Sequence, residues 1–372
     1  MEIHLFIIWE KAQWKKADIL RDISKDLEII KIVDVKWPEE KFVDNLSRFY
    51  GKKLPSGSKK VAECGKGQFS VVIVKDNCPK YLEKKTSHGM ELVNINIFER
   101  KEKYRAWTND DTTPVNYHGS RIHGTNSEEE TRHDLTSLFG VSPDDLLHNP
   151  NILPESWEKN MVGLDGWDTL SDMFYVMNQS NNYLILRNFE YLPKSFRTNE
   201  HGDIDILTDN IDKLAWVMGA EKVFRAKFRV HYRVKVSNEF VYFDFRHIGD
   251  EYYCKKWEEN MLKNKVYSKS GFYILCEEDY KYGILYHALI HKSKISDEYS
   301  NKIKCLFNDP EINYLKTLKA FLSKNNYYVS KPNDLSVYIN TKNANKTFGL
   351  LRKLYYLVVK IDRKIFNRKL MI

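Results

Sequence analysis

The string Glu200-His201-Gly202-Asp203-Ile204-Asp205-Ile206-Leu207 restricts this chain more than any other feature. Acid and branched aliphatic residues alternate there, so a strand sets Asp203 and Asp205 on one face and Ile204 and Ile206 on the other. Such a strand needs a sheet with one buried face and one open face. Two carboxylates about 7 Å apart on the open face repel each other unless a cation sits between them. Oxygen donors of this kind hold Mg²⁺ (or Mn²⁺) carrying a nucleoside triphosphate. Asp244, in the apolar run Val241-Tyr242-Phe243-Asp244-Phe245, is the expected third carboxylate, because a lone acid in a buried strand is costly unless paired or metal-bound. The alternative is an Asp-rich turn that also takes in Asp209.

A chain of 372 residues is about twice one ordinary domain. The pattern of apolar residues divides it accordingly. Strands are expected at Leu5–Trp9, Leu27–Val33, Phe69–Val74 and Leu92–Phe98, with a helix over Ala17–Ile23, which makes residues 1–140 a small α/β domain. Residues 141–166 carry Pro143, Pro150, Pro154, Gly163 and Gly166 and are expected to be a linker. A second cycle over 167–292 starts with a helix at Trp167–Met177. Strands follow at Tyr183–Leu186, Asp203–Leu207, Lys227–Val236 and Glu239–Phe245, with a helix over Ile211–Met218. Residues 293–372 continue a helical pattern. The fold class is therefore α+β, two α/β domains with a helical C-terminal region. Five cysteines with no CxxC pair give neither a disulfide framework nor a zinc knuckle. No run approaches 18 apolar residues, and the opening MEIHLFIIWEKAQWKK has its apolar run ahead of its lysines, the wrong order for a signal peptide. The expected location is cytoplasmic.

In these residues the second half resembles the nucleotidyltransferase fold of the polymerase-beta type, from about Trp167 to Lys292. That family carries a short motif after its first strand, then alternating acids on the second and a third acid on a later strand. The resemblance implies that Asp203, Asp205 and Asp244 hold the metal and catalyse transfer, and that Asp244 aligns or deprotonates the attacking hydroxyl. Where the family has Gly-Ser, this chain has Arg187-Asn188. Arg187 and Asn188 are then expected at the triphosphate, with Lys194 and Arg197 neutralising the leaving pyrophosphate. His287 and His291, four apart on a helical face without an HExxH glutamate, read as packed histidines rather than ligands.

A second phosphate signature stands in Arg121-Ile122-His123-Gly124-Thr125-Asn126-Ser127, followed by the acidic turn Glu128-Glu129-Glu130. Ser127 and Glu130 have the spacing of a capping box, and a histidine just ahead of a helix N-terminus is placed where orphan N–H groups favour an anion. This segment resembles the active-site stretch of nucleoside diphosphate kinases. The resemblance implies a ferredoxin-like domain, phosphate transfer on His123 and a ring-orienting role for Asp134. The Lys-Pro-Asp that follows that family's first strand is replaced here by Glu10-Lys11-Ala12, and its asparagine three residues before the histidine by Ser120. A retained phosphate pocket without transfer stays open, as does a capped helix alone.

The net charge of +8 is concentrated at one end. Residues 341–372 carry nine basic side chains against the single acid Asp362, and the other 340 residues balance to zero. Leu351, Leu354, Val358, Ile361 and Ile365 recur at three and four, giving a basic amphipathic helix of the kind that lies on an anionic bilayer at the inner face of a membrane. An ordinary packed C-terminal helix is the alternative. The neutral body disfavours a nucleic-acid partner, since phosphate contacts need clustered Lys and Arg. The function expected is metal-dependent nucleotidyl or phosphoryl transfer to a small hydroxyl acceptor, a sugar or polyol phosphate, of the sort used in surface-polysaccharide assembly. RNA or protein modification and a non-catalytic membrane scaffold are the competing readings.

Overall fold

A computed structural model describes residues 1–86, 89–109, 119–195, 203–224, 229–344, 354–358 and 361. It divides into two compact units, Met1–Asp168 with Trp216–Gly219, and Thr169–Ala215 with Ala220–Ile372. Both are α+β.

The first unit begins with β1 (Glu2–Ile8), α1 (Lys16–Ile23), β2 (Glu28–Val35), α2 (Phe42–Phe49), α3 (Lys59–Cys64) and β3 (Phe69–Asp76). A hairpin of β4 (Tyr81–Thr86) and β5 (Gly89–Asn94) leads into α4 (Ile95–Trp107), then β6 (Ile122–Gly124), α5 (Glu128–Phe139), α6 (Pro143–His148) and β7 (Ser156–Trp157). The main sheet runs β6-β1-β3-β2-β7, with its first four strands antiparallel and β7 parallel to β2. The run from Leu5 to Ile8 is apolar at every position because both faces of β1 are covered. Leu5 and Ile7 pack with Leu46, Val61 and Leu135 from α2, α3 and α5, while Phe6 and Ile8 pack with Ile19, Ile23, Ile97 and Tyr104 from α1 and α4.

Two expectations fail here for local reasons. Residues 92–98 do not continue as a strand, because Asn94 ends β5 and caps α4 with its side-chain oxygen, accepting from the N–H groups of Asn96 and Ile97. Residues 141–166 are not a free linker. Pro143 sits in the first turn of α6 beneath the capping serine Ser142, β7 pairs with β2, and Leu146, Leu153 and Met161 are buried in the first unit's core.

The second unit contains α7 (Leu170–Ser180), β8 (Tyr183–Arg187), β9 (Asp203–Thr208), α8 (Ile211–Met218), β10 (Glu221–Lys222), β11 (His231–Val236) and β12 (Glu239–His247). The residues from Trp216 in α8 to Gly219 count with the first unit. Next come α9 (Lys255–Lys263), β13 (Val266–Tyr267), β14 (Tyr273–Ile274), α10 (Glu277–Ile290), α11 (Asp297–Phe307), α12 (Tyr314–Asn325) and the single turn α13 (Thr341–Ala344). The mixed sheet runs β10-β11-β12-β9-β8-β14-β13. Its helical cover is an aromatic-rich core in which Trp257, Tyr286 and Phe321 pack with Leu184, Leu186 and Leu207. No helix among the described residues is long and apolar enough to cross a membrane. Of the tail stripe, Leu354, Val358 and Ile361 are described and exposed, as is Leu357 beside them, whereas Leu351 and Ile365 lie outside the described residues.

Candidate functional site

Strand register, more than sequence proximity, assembles the site of the second unit. β11 and β12 are joined through Ser237-Asn238, both with positive φ (47° and 66°), a two-residue turn whose twist suits a tight hairpin. With Val236 opposite Glu239, counting back pairs His231 with Asp244. β12 lies parallel to β9 and sets Asp244 beside Asp205, and β9 lies antiparallel to β8 and sets Asp205 beside Arg187. The result is one row across four strands, His231–Asp244–Asp205–Arg187, with Asp203 two residues before Asp205 and therefore on the same face. The opposite face is apolar: Ile204, Ile206, Phe243 and Phe245 are buried.

Above the row is a cavity of about 380 Å³ whose wall includes Arg187, Asn188, Asp203, Asp205, Asp244 and Arg246. Asn188 holds its place with a left-handed backbone, φ 58°. The three carboxylates expected from the sequence therefore share one cavity with Arg187 and Asn188. Lys194 is exposed and is not part of the wall, and Arg197 and His201 lie outside the described residues.

The carboxylates have different partners. Arg187 Nη2 donates to Asp205 Oδ1 at 2.7 Å and to the Tyr252 hydroxyl at 3.1 Å, with Arg187 and Asp205 both less than a tenth exposed. Burial works most strongly against the Arg187 charge, but Asp205 together with Tyr252, Tyr253 and Tyr299 outweighs it and keeps the guanidinium protonated. Burial pushes the Asp205 carboxyl up, Arg187 pulls it down, and Asp244 adds to the rise. Asp244 Oδ1 lies 3.0 Å from His231 Nδ1, and its other oxygen lies 3.6 Å from Arg246. Arg246 is shared with Asp250 at 3.5 Å and Asp334 at 3.8 Å, and its guanidinium rests over the Tyr252 ring. Asp203, nearly half exposed, lies 3.8 Å from His231 Nδ1. Single ligand atoms of Asp203, His231 and Asp244 fall within 4.8 Å of one another.

His231 did not stand out in the sequence, where His231-Tyr232-Arg233-Val234-Lys235-Val236 reads as an ordinary half-buried strand. The Ser237-Asn238 turn was the signal that could have found it, because it fixes which residue faces Asp244. His287 and His291 line the cavity as packed groups: His287 Nδ1 meets the Tyr252 hydroxyl at 2.7 Å, and His291 meets the Tyr252 and Tyr338 carbonyls. Burial pushes the His291 imidazole down to about 3, so it is neutral at ordinary pH.

The first unit gathers a second cluster. β6 carries His123, and α5 presents Glu130 and Asp134 to it, with His123 Nε2 at 2.8 Å from Asp134 Oδ2 and 3.9 Å from Glu130 Oε1. The expected capping box forms by halves. Ser127 Oγ accepts from the Glu130 N–H, but the Glu130 carboxylate reaches back to the N–H of Asn126 rather than of Ser127. Lys101 donates to the Gly124 carbonyl and to the Asn126 side chain, and burial lowers its ammonium to about 8. Lys60, lowered to about 8 for the same reason, lies 3.9 Å over the Tyr50 ring, which faces His123 edge-on. Burial holds His123 neutral, down to about 3, with Lys101, Lys60 and Arg105 reinforcing the shift and Glu130 opposing it. Its side-chain hydrogen bond is made by Nε2 to Asp134. No protein-family model matches the chain, and no curated protein matches it.

Proposed function

We propose that the second unit transfers a nucleotidyl or phosphoryl group from a metal-bound nucleoside triphosphate to the hydroxyl of a small phosphorylated acceptor such as a sugar or polyol phosphate. The observation that carries this reading is the cross-strand row of Arg187, Asp205, Asp244 and His231, of which Arg187, Asp205 and Asp244 line one cavity together with Asp203. Like charges on one sheet face destabilise it, so Asp203 and Asp244, whose carboxylates face the same imidazole, favour a cationic ligand. The donor set fits a divalent cation, since carboxylate and imidazole atoms of Asp203, Asp244 and His231 lie close enough to share one ion. A cation bound there supplies charge neutralisation at the phosphates and Lewis-acid polarisation. In this reading Asp244 aligns the acceptor hydroxyl and takes its proton. The leaving pyrophosphate falls to Arg187 and Lys292, which line the cavity, rather than to exposed Lys194.

Incubation with α- and γ-labelled nucleotides, with Mg²⁺ or Mn²⁺ and a panel of sugar and polyol phosphates, tests this directly. Label moving to an acceptor only with metal, and not in Asp203→Asn, supports transfer. Equal transfer in the presence of a chelator sinks it. RNA or protein carrying the label would favour the modifying-enzyme reading, and nucleotide binding without turnover the scaffold.

For the first unit we infer a phosphate-exchanging His123, in line with the resemblance to nucleoside diphosphate kinases. Asp134 on Nε2 orients the ring and leaves Nδ1 as the nucleophile. For the tail we infer reversible attachment to an anionic lipid surface, favoured by the exposure of Leu354, Leu357, Val358 and Ile361 within the segment that carries the whole net charge.

A further inference from the structure

The row of four cross-strand partners is not electrically symmetric. At one end Arg187 is committed to Asp205, at 2.7 Å and out of water. At the other end stands His231, its Nδ1 3.0 Å from Asp244 and 3.8 Å from Asp203. A cation entering the row meets Asp205 already neutralised by a guanidinium, and a buried pair of this kind is costly to break because it strands a charge. It meets Asp244, Asp203 and His231 with their ligand atoms within 4.8 Å of one another.

We propose a metal site at Asp203, Asp244 and His231, reached from the cavity that Asp203 and Asp244 line, with Asp205 left outside the coordination shell, and that it selects a transition metal of the Mn²⁺ class over Mg²⁺. The inference rests on the transfer reading of the cavity and specifies its cation. Carboxylate oxygens alone suit Mg²⁺, whereas an imidazole nitrogen in the set favours the later ions of the divalent series. The ring is held for the task by stacking on Tyr242, with centroids 5.4 Å apart and planes within 6°. That stack keeps Nδ1 directed at the carboxylates of Asp203 and Asp244. Without an ion, Nδ1–H faces Asp244 Oδ1 at 3.0 Å; a bound ion would take the place of that proton, with the ring proton then on Nε2.

A second observation points to what that ion brings with it. Arg187 lines the cavity with only 7% of its surface exposed, and its second amino group, Nη1, is buried with no hydrogen-bond partner among the described residues. A desolvated guanidinium donor without an acceptor is stabilised by a phosphate oxygen more than by water. Arg187 therefore serves both neighbours at once. Nη2 holds Asp205 away from the ion, and Nη1 is left for the anion that the ion carries. On this reading the departure from the Gly-Ser pattern at Arg187-Asn188 is a substitution of one phosphate device for another.

The experiment is Mn²⁺ titration of the full chain followed by the electron paramagnetic resonance of free Mn²⁺, without nucleotide, and repeated with Mg²⁺ as competitor. Wild type is expected to take up a single Mn²⁺ that Mg²⁺ displaces only at roughly tenfold or greater excess. His231→Ala and His231→Gln should each weaken Mn²⁺ by about tenfold or more while Mg²⁺ changes little, which removes the preference. Asp203→Asn should weaken both ions. Asp205→Asn should leave Mn²⁺ affinity within about threefold. Thermal melts of every variant separate lost folding from a lost ligand, and His231→Gln preserves a polar group where His231→Ala does not. If Asp205→Asn costs as much as Asp203→Asn while His231→Gln costs nothing, the site is a three-carboxylate Mg²⁺ clamp. The inference then falls with the transfer reading intact. Mn²⁺ held through His231, with no nucleotide turnover on any acceptor, leaves this site standing and removes the transfer reading.

Discussion

Each unit sets one histidine against two carboxylates, and the two trios stand in opposite electrostatic surroundings. His123 meets Asp134 and Glu130 where Lys60, Lys101 and Arg105 all act on the ring. His231 meets Asp244 and Asp203 where Arg187 is drawn off to Asp205, and Arg246 is divided among Asp244, Asp250 and Asp334. The chemistry of the kit is the same, one imidazole and two carboxylates. What differs is whether neighbouring cations are aimed at the trio or absorbed elsewhere, and in the readings proposed above that sets the sign of the ligand: an anion at His123, a cation at His231. A cluster of His, Asp and Glu read without its flanking charges therefore says little about what binds it.

The largest effects should come from removing the carboxylates of the second trio. Asp244→Asn and Asp203→Asn should each lower metal-dependent transfer by roughly a hundredfold or more, since the charge that anchors the ion and its phosphates is lost. Labelled-nucleotide turnover measures this, and activity within threefold of wild type in both variants would erase the contrast between the units. The first trio should respond through the ring. Incubation with a γ-labelled nucleotide should give an acid-labile, base-stable adduct that His123→Ala lacks, and Asp134→Asn should slow its formation by about tenfold through loss of the hydrogen bond that orients the ring. An adduct that survives His123→Ala would take the anion role away from this trio.

Acid should weaken both units, through different histidines. His123 in the first and His291 in the second stay neutral when folded, each held down to about 3 by burial, whereas an unfolded histidine binds its proton near 6.5. Between those values the unfolded chain takes up more protons, so stability is lost as pH falls from about 6.5 toward 3 and regained as pH rises. Urea midpoints measured at pH 7, 6, 5 and 4 should fall steadily, and His291→Gln should flatten the second unit's share of the slope. A midpoint that rises on acidification in that window would contradict the neutral assignment.

The sequence made the apolar-acid alternation of Asp203 and Asp205 readable because a strand has a period of two, and it made Asp244 readable because an acid among Val241, Phe243 and Phe245 demands a partner. It did not reveal that Arg187 would pair with Asp205 instead of binding phosphate with its whole head group. That pairing depends on the register of β8 against β9, which includes an irregularity between Ile185 and Arg187. His231 was hidden for the same reason. The existence of β1, α1, β3 and β8 followed from apolar period alone, although β1 begins at Glu2 and ends at Ile8 rather than spanning Leu5–Trp9, whereas residues 141–166 were misjudged because their prolines cap and shape short elements that the core then captures through Leu146, Leu153 and Met161. Periodicity reads elements well, and it is blind to which elements meet.

The smallest effect on stability, and the sharpest one on location, is expected at the C-terminal tail. Leu354, Leu357, Val358 and Ile361 follow the spacing of one helical face and are 53% to 58% exposed, so little packing is lost when they change. Leu357→Ser with Val358→Ser should shift the melting temperature by no more than about 2 °C, since exposed substitutions cost a few tenths of a kcal/mol. The same pair should abolish flotation with vesicles containing anionic lipid while leaving transfer to a soluble acceptor unchanged, because neither side chain lines the cavity. Residues 1–340 carry no net charge, so binding should also disappear with neutral lipid and weaken as salt shortens the screening length below about 8 Å. Should the doubly substituted chain melt many degrees lower, and the wild type ignore anionic vesicles, the apolar face must be covered by protein. The asymmetry between a neutral body and a surface-seeking tail would then dissolve into ordinary packing.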